Sequence, residues 1–178
     1  SMAKILSKFD LTVFDVMVTN LNGGSLRTYI CHKNAYPISG RVSELHKVEG
    51  VLFNMDTYRD FKTKVDNISS RVFACLAHIK TEGKTCYLYG ASTRINTLLQ
   101  YANLGGLLQK GVERNPEKWG KKVASIGLPI ISEEQSRKEK PDFMLVGPWF
   151  FKEEILKRES EYLKTGKLIF PLPDLEII

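Results

Sequence analysis

From Thr85 onward the chain alternates strand-like and helix-like runs without interruption. "TCYLYG" is followed by a helical stretch from Thr93 to about Asn103, and the weak strand "QKGVERN" by the helical "EEQSRKE". "PDFMLVGPW" is then followed by the helical "FFKEEILKRESEYLKTG" and the strand "KLIFPLP". Parallel neighbours need long connections, which helices supply, so this succession predicts a parallel sheet with helical crossovers. The expected fold class is α/β: a Rossmann-like, mostly parallel sheet with flanking helices. Ahead of it the sequence predicts a β-hairpin, with strands Leu11 to Thr19 and Ser25 to Cys31 joined at Gly23-Gly24. A short helix over Ser43 to Val48 and a long one from about Thr57 to Thr81 come next; in the latter Phe61, Val65, Ile68, Val72, Leu76 and Ile79 recur at helical spacing. Ser132 and Gln135 form a capping box for "EEQSRKE", and the last helix places Phe151, Ile155, Tyr162 and Leu163 near one face before stopping at Gly166.

With 178 residues, 43% of them hydrophobic, the chain is the size of one domain with a sizeable core, expected over residues 3–178. Ser1-Met2 reads as a scar of tag removal, which suggests a cloned segment. No apolar run of about eighteen residues appears and the first residues lack the apolar centre of a signal peptide, so a cytoplasmic protein without a membrane partner is expected. Cys31, Cys75 and Cys86 are odd in number and far apart, and read as buried structural thiols. His32, His46 and His78 show no ligand spacing among themselves or with the cysteines, so no metal is expected. The net charge of +6 is compatible with a nucleic-acid partner, but Lys and Arg are scattered among acids and form no block, and a small polyanion such as a nucleoside diphosphate fits as well; no nucleic-acid partner is expected.

Three loops carry candidate ligand chemistry, each at the end of an expected strand. In "YGASTRIN", Gly90 and Ala91 leave room beside the backbone, Ser92 and Thr93 offer hydroxyls and a helix cap, and Arg94 adds a cation suited to phosphate oxygens. A strand-to-helix corner also needs small residues for packing alone, and Asn96 either faces a ligand or decorates the helix. In "ERNPEKWG", Glu113, Arg114, Asn115 and Lys118 stand at and just past the end of the second strand, where dinucleotide folds read a ribose or base; Trp119 either stacks on a base or lies in a solvated turn. In "VGPWFF", Gly147-Pro148 ends a strand and offers Trp149 to a cleft, with Phe150 and Phe151 read as core.

"NGGSLRTYI", "YGASTRINTLLQY", "VERNPEKWGKKV" and the run from "LPIISEEQSRKEKPDFMLVGPWFF" to "PLPDLEII", in that order, resemble the C-terminal domain of the sugar C-methyltransferase family. The similarity runs from about Phe14 to Ile178, with a less recognisable stretch over Arg41 to Lys84. The resemblance implies an enzyme that methylates a carbon of a nucleotide-linked keto sugar with S-adenosylmethionine as donor, and a C-terminal domain that holds the nucleotide-sugar. Family members also carry a cysteine-rich zinc segment and a methyltransferase domain with a Gly-x-Gly donor loop. Neither is present in these residues, so the chain is expected to bind no cofactor, to work with a methyltransferase domain in cis or trans, and not to methylate alone. The catalytic base is expected in that other domain.

Departures from the family text stand beside the matches. Glu113 stands where an acid is expected. Asn22 replaces a histidine in the family's His-Gly-Gly-Ser-Leu-Arg, while Ser25 and Arg27 are kept; these three are candidate contacts with the methyltransferase domain, Arg27 reading equally as an exposed strand arginine. Phe150 replaces a polar residue, and "ASIGLPI" (Ala124 to Ile130) is more apolar than the family's Pro-Gly-Thr loop. A ligand-free docking domain is compatible with Asn22 and the altered loop, whereas a dinucleotide oxidoreductase lacks its Gly-x-Gly-x-x-Gly fingerprint, "YGASTRIN" having one glycine.

Overall fold

The computed structural model describes residues 2–178. Ser1, half of the expected scar, lies outside the described residues, and Met2 opens the first helix, α1 (Met2–Leu6). The chain folds as two compact units, residues 1–62 and 63–178.

The first unit is built on the expected hairpin. Strands β1 (Leu11–Thr19) and β2 (Ser25–His32) pair antiparallel, with a bulge between Val13 and Asp15. Asn22, at φ 55°, and Gly23 and Gly24, at 83° and 126°, make the connection, a conformation that Asn and Gly tolerate best. Helix α2 (Gly40–Glu49) is longer than expected, because Ser39, and not Ser43, caps it by accepting from the Arg41 N–H. Arg41 clamps Asp15 through two hydrogen bonds, one of them from Nε at 2.9 Å, and this holds the Asp15 carboxyl below its ordinary value. Val13, Val16 and Val42 form the small core between hairpin and helix, with Leu6 and Leu45 against it.

Helix α3 (Met55–Thr81) matches the long amphipathic stretch, and its residues from Thr63 belong to the second unit. Gly83, at φ 71°, turns the chain into β3 (Cys86–Tyr89). There follow α4 (Ile95–Tyr101), β4 (Gly111–Glu113), β5 (Lys122–Val123), β6 (Leu128–Ser132), α5 (Glu133–Glu139), β7 (Phe143–Val146), α6 (Lys152–Arg158), β8 (Lys167–Phe170) and β9 (Glu176–Ile177). The seven strands form one sheet in the order β5-β6-β4-β3-β7-β8-β9. All pairs from β6 to β8 are parallel, while β5 and β9 close the edges antiparallel. Numbered by appearance, the parallel strands run 3-2-1-4-5, the doubly wound order of Rossmann folds.

Both faces of this sheet are covered, which explains the unbroken apolar runs of β3 and β7. Cys86, Leu88, Leu145 and Ile169 face α3 and α4, packing with Val72, Leu76, Ile79, Ile95 and Leu99. Tyr87, Tyr89, Met144, Val146, Leu168 and Phe170 face the other way, onto Ile155 of α6. Of the three thiols only Cys86 is buried; Cys31 and Cys75 are half-exposed, because the positions that bear them lie at the margin of their elements' apolar faces. Two further differences concern elements. Strand β6 and the two-residue edge strands β5 and β9 are absent from the predicted pattern, and the last helix is broken: α6 stops at Arg158, and Tyr162–Lys164 is a separate 3-10 turn. Among the described residues no helix is long and apolar enough to cross a membrane.

Candidate functional site

In an open α/β sheet, ligands bind outside the carboxyl ends of the strands, where successive crossovers leave in opposite directions. Here that switch point lies between β3 and β7, paired in register at Tyr89 and Val146, with Tyr89 opposite Val112 of β4 on the other side. The three loops singled out in the sequence leave from these three strand ends, so the topology brings residues 90–94, 113–118 and 147–149 to one edge.

The loops at the switch point are packed against each other. Gly90, at φ 79°, donates to Val112 O at 2.9 Å, and a Cβ there would lie 2.7 Å from Pro148 Cδ. Gly147 donates to Tyr89 O at 2.8 Å, and its Cβ would lie 2.7 Å from Gly90 O. Ala91 is buried, with its methyl against Gly111. Beyond this base the turn opens. Ser92 donates to Gly90 O at 2.8 Å, but the N–H groups of Ala91, Thr93 and Arg94 have no acceptor among the described residues. The helix begins at Ile95, not Thr93, with Arg94 at its cap and no side-chain hydrogen bond there; the Ser92 and Thr93 hydroxyls do not cap, since the turn keeps the backbone helical through Arg94. Arg94 lies over the Phe150 ring at 5.2 Å with no carboxylate partner among the described residues. Asn96, one position into α4, has an enclosed Oδ1 without a hydrogen bond.

The loop after β4 is held by its own acid. Glu113 Oε1 accepts from the Arg114 and Asn115 N–H groups at 2.9 and 3.3 Å, and Oε2 from Lys118 Nζ at 2.9 Å. Burial pushes this carboxyl up, but the Lys118 ammonium and the two N–H groups outweigh it and hold it below its ordinary value. Lys118 Nζ also donates to Ala91 O at 3.2 Å, which joins this loop to the first. Asn115 caps the Pro116–Lys118 turn through the Glu117 N–H at 3.0 Å, and Arg114 is exposed, 4.0 Å from Glu133. Trp119 donates from Nε1 to Glu113 O at 2.7 Å and keeps much of its ring exposed.

Trp149 opens the 3-10 turn Trp149–Phe151 and meets Phe150 edge-on at 5.6 Å. Phe150 is half-buried under Arg94, but Phe151, expected in the core, is 41% exposed, because the turn after Pro148 rotates it outward against Phe150. Sequence reading missed a polar network beneath this edge. The Tyr89 hydroxyl donates to Glu159 Oε1 at 2.9 Å and accepts from Arg158, while Arg137 reaches Glu159 at 3.3 Å. Glu159 is 3% exposed, and the Ser136 hydroxyl beside it is buried without a partner. The one available signal was a glutamate between Arg158 and Ser160 where the helical period predicts an apolar residue.

Asn22, Ser25 and Arg27 lie in the first unit, all exposed at the hairpin turn, Ser25 Oγ donating to Leu21 O at 2.9 Å. An open groove of about 390 Å³ lies on the flank between α3 and α4, away from the strand ends, lined by Asp66, Ser69, Phe73, Tyr101 and Asn103. Among the described residues no group of three or more His, Cys, Asp or Glu is placed to hold a metal ion.

Residues 20–173 match the family described as C-methyltransferase C-terminal domain. C-methyltransferase NovU of Streptomyces niveus is 27% identical over 184 aligned residues, which cover 100% of this chain and 44% of that protein. The chain thus spans less than half the length of this relative. The family match takes in both compact units and all three loops at the sheet's carboxyl edge, and by it this chain belongs to the C-methyltransferase C-terminal domain family.

Proposed function

We propose that this chain is the nucleotide-sugar-binding part of an S-adenosylmethionine-dependent C-methyltransferase that acts on a nucleotide-linked keto sugar. The observation that carries the reading is Arg94: a cation without a carboxylate partner, beside three backbone N–H groups without acceptors, at the switch point of a doubly wound sheet. Such a turn suits a diphosphate, whose oxygens accept from several donors at once. Ser92, Thr93, Asn96 and Trp149 border the same edge, and Arg114, Asn115 and Lys118 follow on the neighbouring strand end.

S-adenosylmethionine supplies the methyl group. Its sulfonium is cationic, so an edge carrying Arg94, Arg114 and Lys118 suits it poorly, and donor binding belongs to a methyltransferase domain in cis or trans. The chain's own work is to bind and orient the acceptor. The reading is tested by calorimetry and thermal shift against UDP, dTDP, GDP, CDP, NAD and S-adenosylmethionine. At least one nucleoside diphosphate should raise the melting temperature, and Arg94→Ala should weaken it about tenfold or more. A nucleoside diphosphate bound equally by Arg94→Ala would remove the phosphate from this turn.

A second reading is a ligand-free docking domain. It is favoured by the first unit, where Val48, Val51 and Leu52 are about half exposed or more and Phe53 is 93% exposed. Silence from every ligand in the same screen would favour it.

A further inference from the structure

We infer that Lys118 is a phosphate ligand of the turn after β3, and that Glu113 is its positioning residue and not a reader of ribose hydroxyls. The inference deepens the proposed function and rests on its anion reading. In dinucleotide folds the acid at the end of the second strand accepts from the ribose 2′-hydroxyl, which requires a carboxylate oxygen turned to the ligand. Glu113 occupies that place in the strand order, since β4 is the second parallel strand and pairs beside β3. Its oxygens are already engaged: Oε1 takes two backbone N–H groups, Oε2 takes the Lys118 ammonium, and the side chain is 15% exposed.

The same bonds aim the lysine. Lys118 Nζ is fixed at two points, Glu113 Oε2 at 2.9 Å and Ala91 O at 3.2 Å. Ala91 O belongs to the turn whose Ala91, Thr93 and Arg94 N–H groups lack acceptors. An ammonium has three donors, so one remains, on a side chain 39% exposed that is tied to the same turn through Ala91 O. A lysine held by a carboxylate and a carbonyl loses little freedom when it takes up a phosphate oxygen, which is the gain from preorganisation.

Calorimetry of the 178-residue chain with pyrophosphate, UDP and dUDP tests this in the wild type, Lys118→Met, Glu113→Gln and the double variant. Lys118→Met should weaken all three ligands about tenfold, with Lys118→Arg restoring part of the loss. Glu113→Gln should weaken them less, leave the ratio of UDP to dUDP affinity unchanged, and cost nothing further once Lys118 is Met. An additive loss in the double variant, or a UDP preference that Glu113→Gln abolishes, would overturn the positioning role. Unchanged pyrophosphate and nucleotide affinity in Lys118→Met, or no binding of any of the three by the wild type, would overturn the phosphate role. Pyrophosphate held through Lys118 with no gain from a nucleoside would uphold the inference while the nucleotide-sugar reading fell.

Discussion

At the scale of residues, the charged groups of this chain divide into those consumed by the fold and those left over, and only contacts make the division. Arg94 and Glu113 were both readable as ligand residues, since each follows a strand end in the expected topology. That Glu113 spends its oxygens on its own loop was not readable, because those bonds depend on how residues 113–118 turn. Asn96 was open between two roles, and its enclosed, unpaired Oδ1 is visible only in three dimensions. Glu139 is a group consumed by the fold. Lys110 at 2.5 Å, then the Tyr87 hydroxyl at 2.6 Å and Gln135 at 2.9 Å, draw its carboxyl from the ordinary 4.5 down to about 2. Because the folded value is depressed, its stabilising contribution is complete above about pH 4.5 and is lost as the pH falls toward about 2. Urea unfolding of wild type and Glu139→Gln should therefore show the variant less stable at pH 7, with the gap narrowing steadily as the pH is lowered from about 4.5 to 2.5. A gap that stays constant over this window would place the effect of the substitution in packing and not in charge.

At the scale of elements, periodicity was a good guide wherever one face decided the outcome. The hairpin strands, the helix Met55–Thr81 and strands β3, β7 and β8 lie within a few residues of their expected places, because each carries a run long enough to set its own period. Two errors have physical causes outside the segment. Strand β6 holds Pro129, which demotes a strand in isolation, yet Pro129 sits opposite Lys122 of the two-residue edge strand β5. The final helix is periodic through Leu163 but breaks after Arg158, where Glu159 turns in to Tyr89 and Arg137. The glycines of the strand ends were legible as a turn but not as a lock between two loops. That lock predicts unequal costs. Gly147→Ala drives a methyl against the Gly90 and Tyr89 carbonyls, which are backbone and cannot yield, and should cost about 2–3 kcal/mol. Gly90→Ala adds backbone strain at φ 79° to contact with Pro148 and should cost about 1–3 kcal/mol. Gly106→Ala, with nothing within 4 Å, should stay within about 0.5 kcal/mol of wild type. Urea denaturation of the three variants measures all of this, and similar costs at 147 and 106 would mean the loops part readily.

At the scale of the whole molecule, the two units differ in what holds them. In the second, every residue of β3 and β7 is buried and both faces of the sheet carry packed helices. In the first, three valines make the buried core, and no residue of β2 is fully buried. A two-stranded hairpin with a small core is marginal by itself, since burial grows with the number of layers that share it. Local stability in the first unit should accordingly be low, whatever the global value. Native-state hydrogen exchange should find the amides of β1 and β2 opening at a free energy at least about 2 kcal/mol below those of Leu88 and Leu145. Small additions of urea should leave the hairpin amides unaffected in the manner of local opening, while the central strands respond with the full slope of global unfolding. Equal protection in both units would mean that the chain unfolds as one cooperative body.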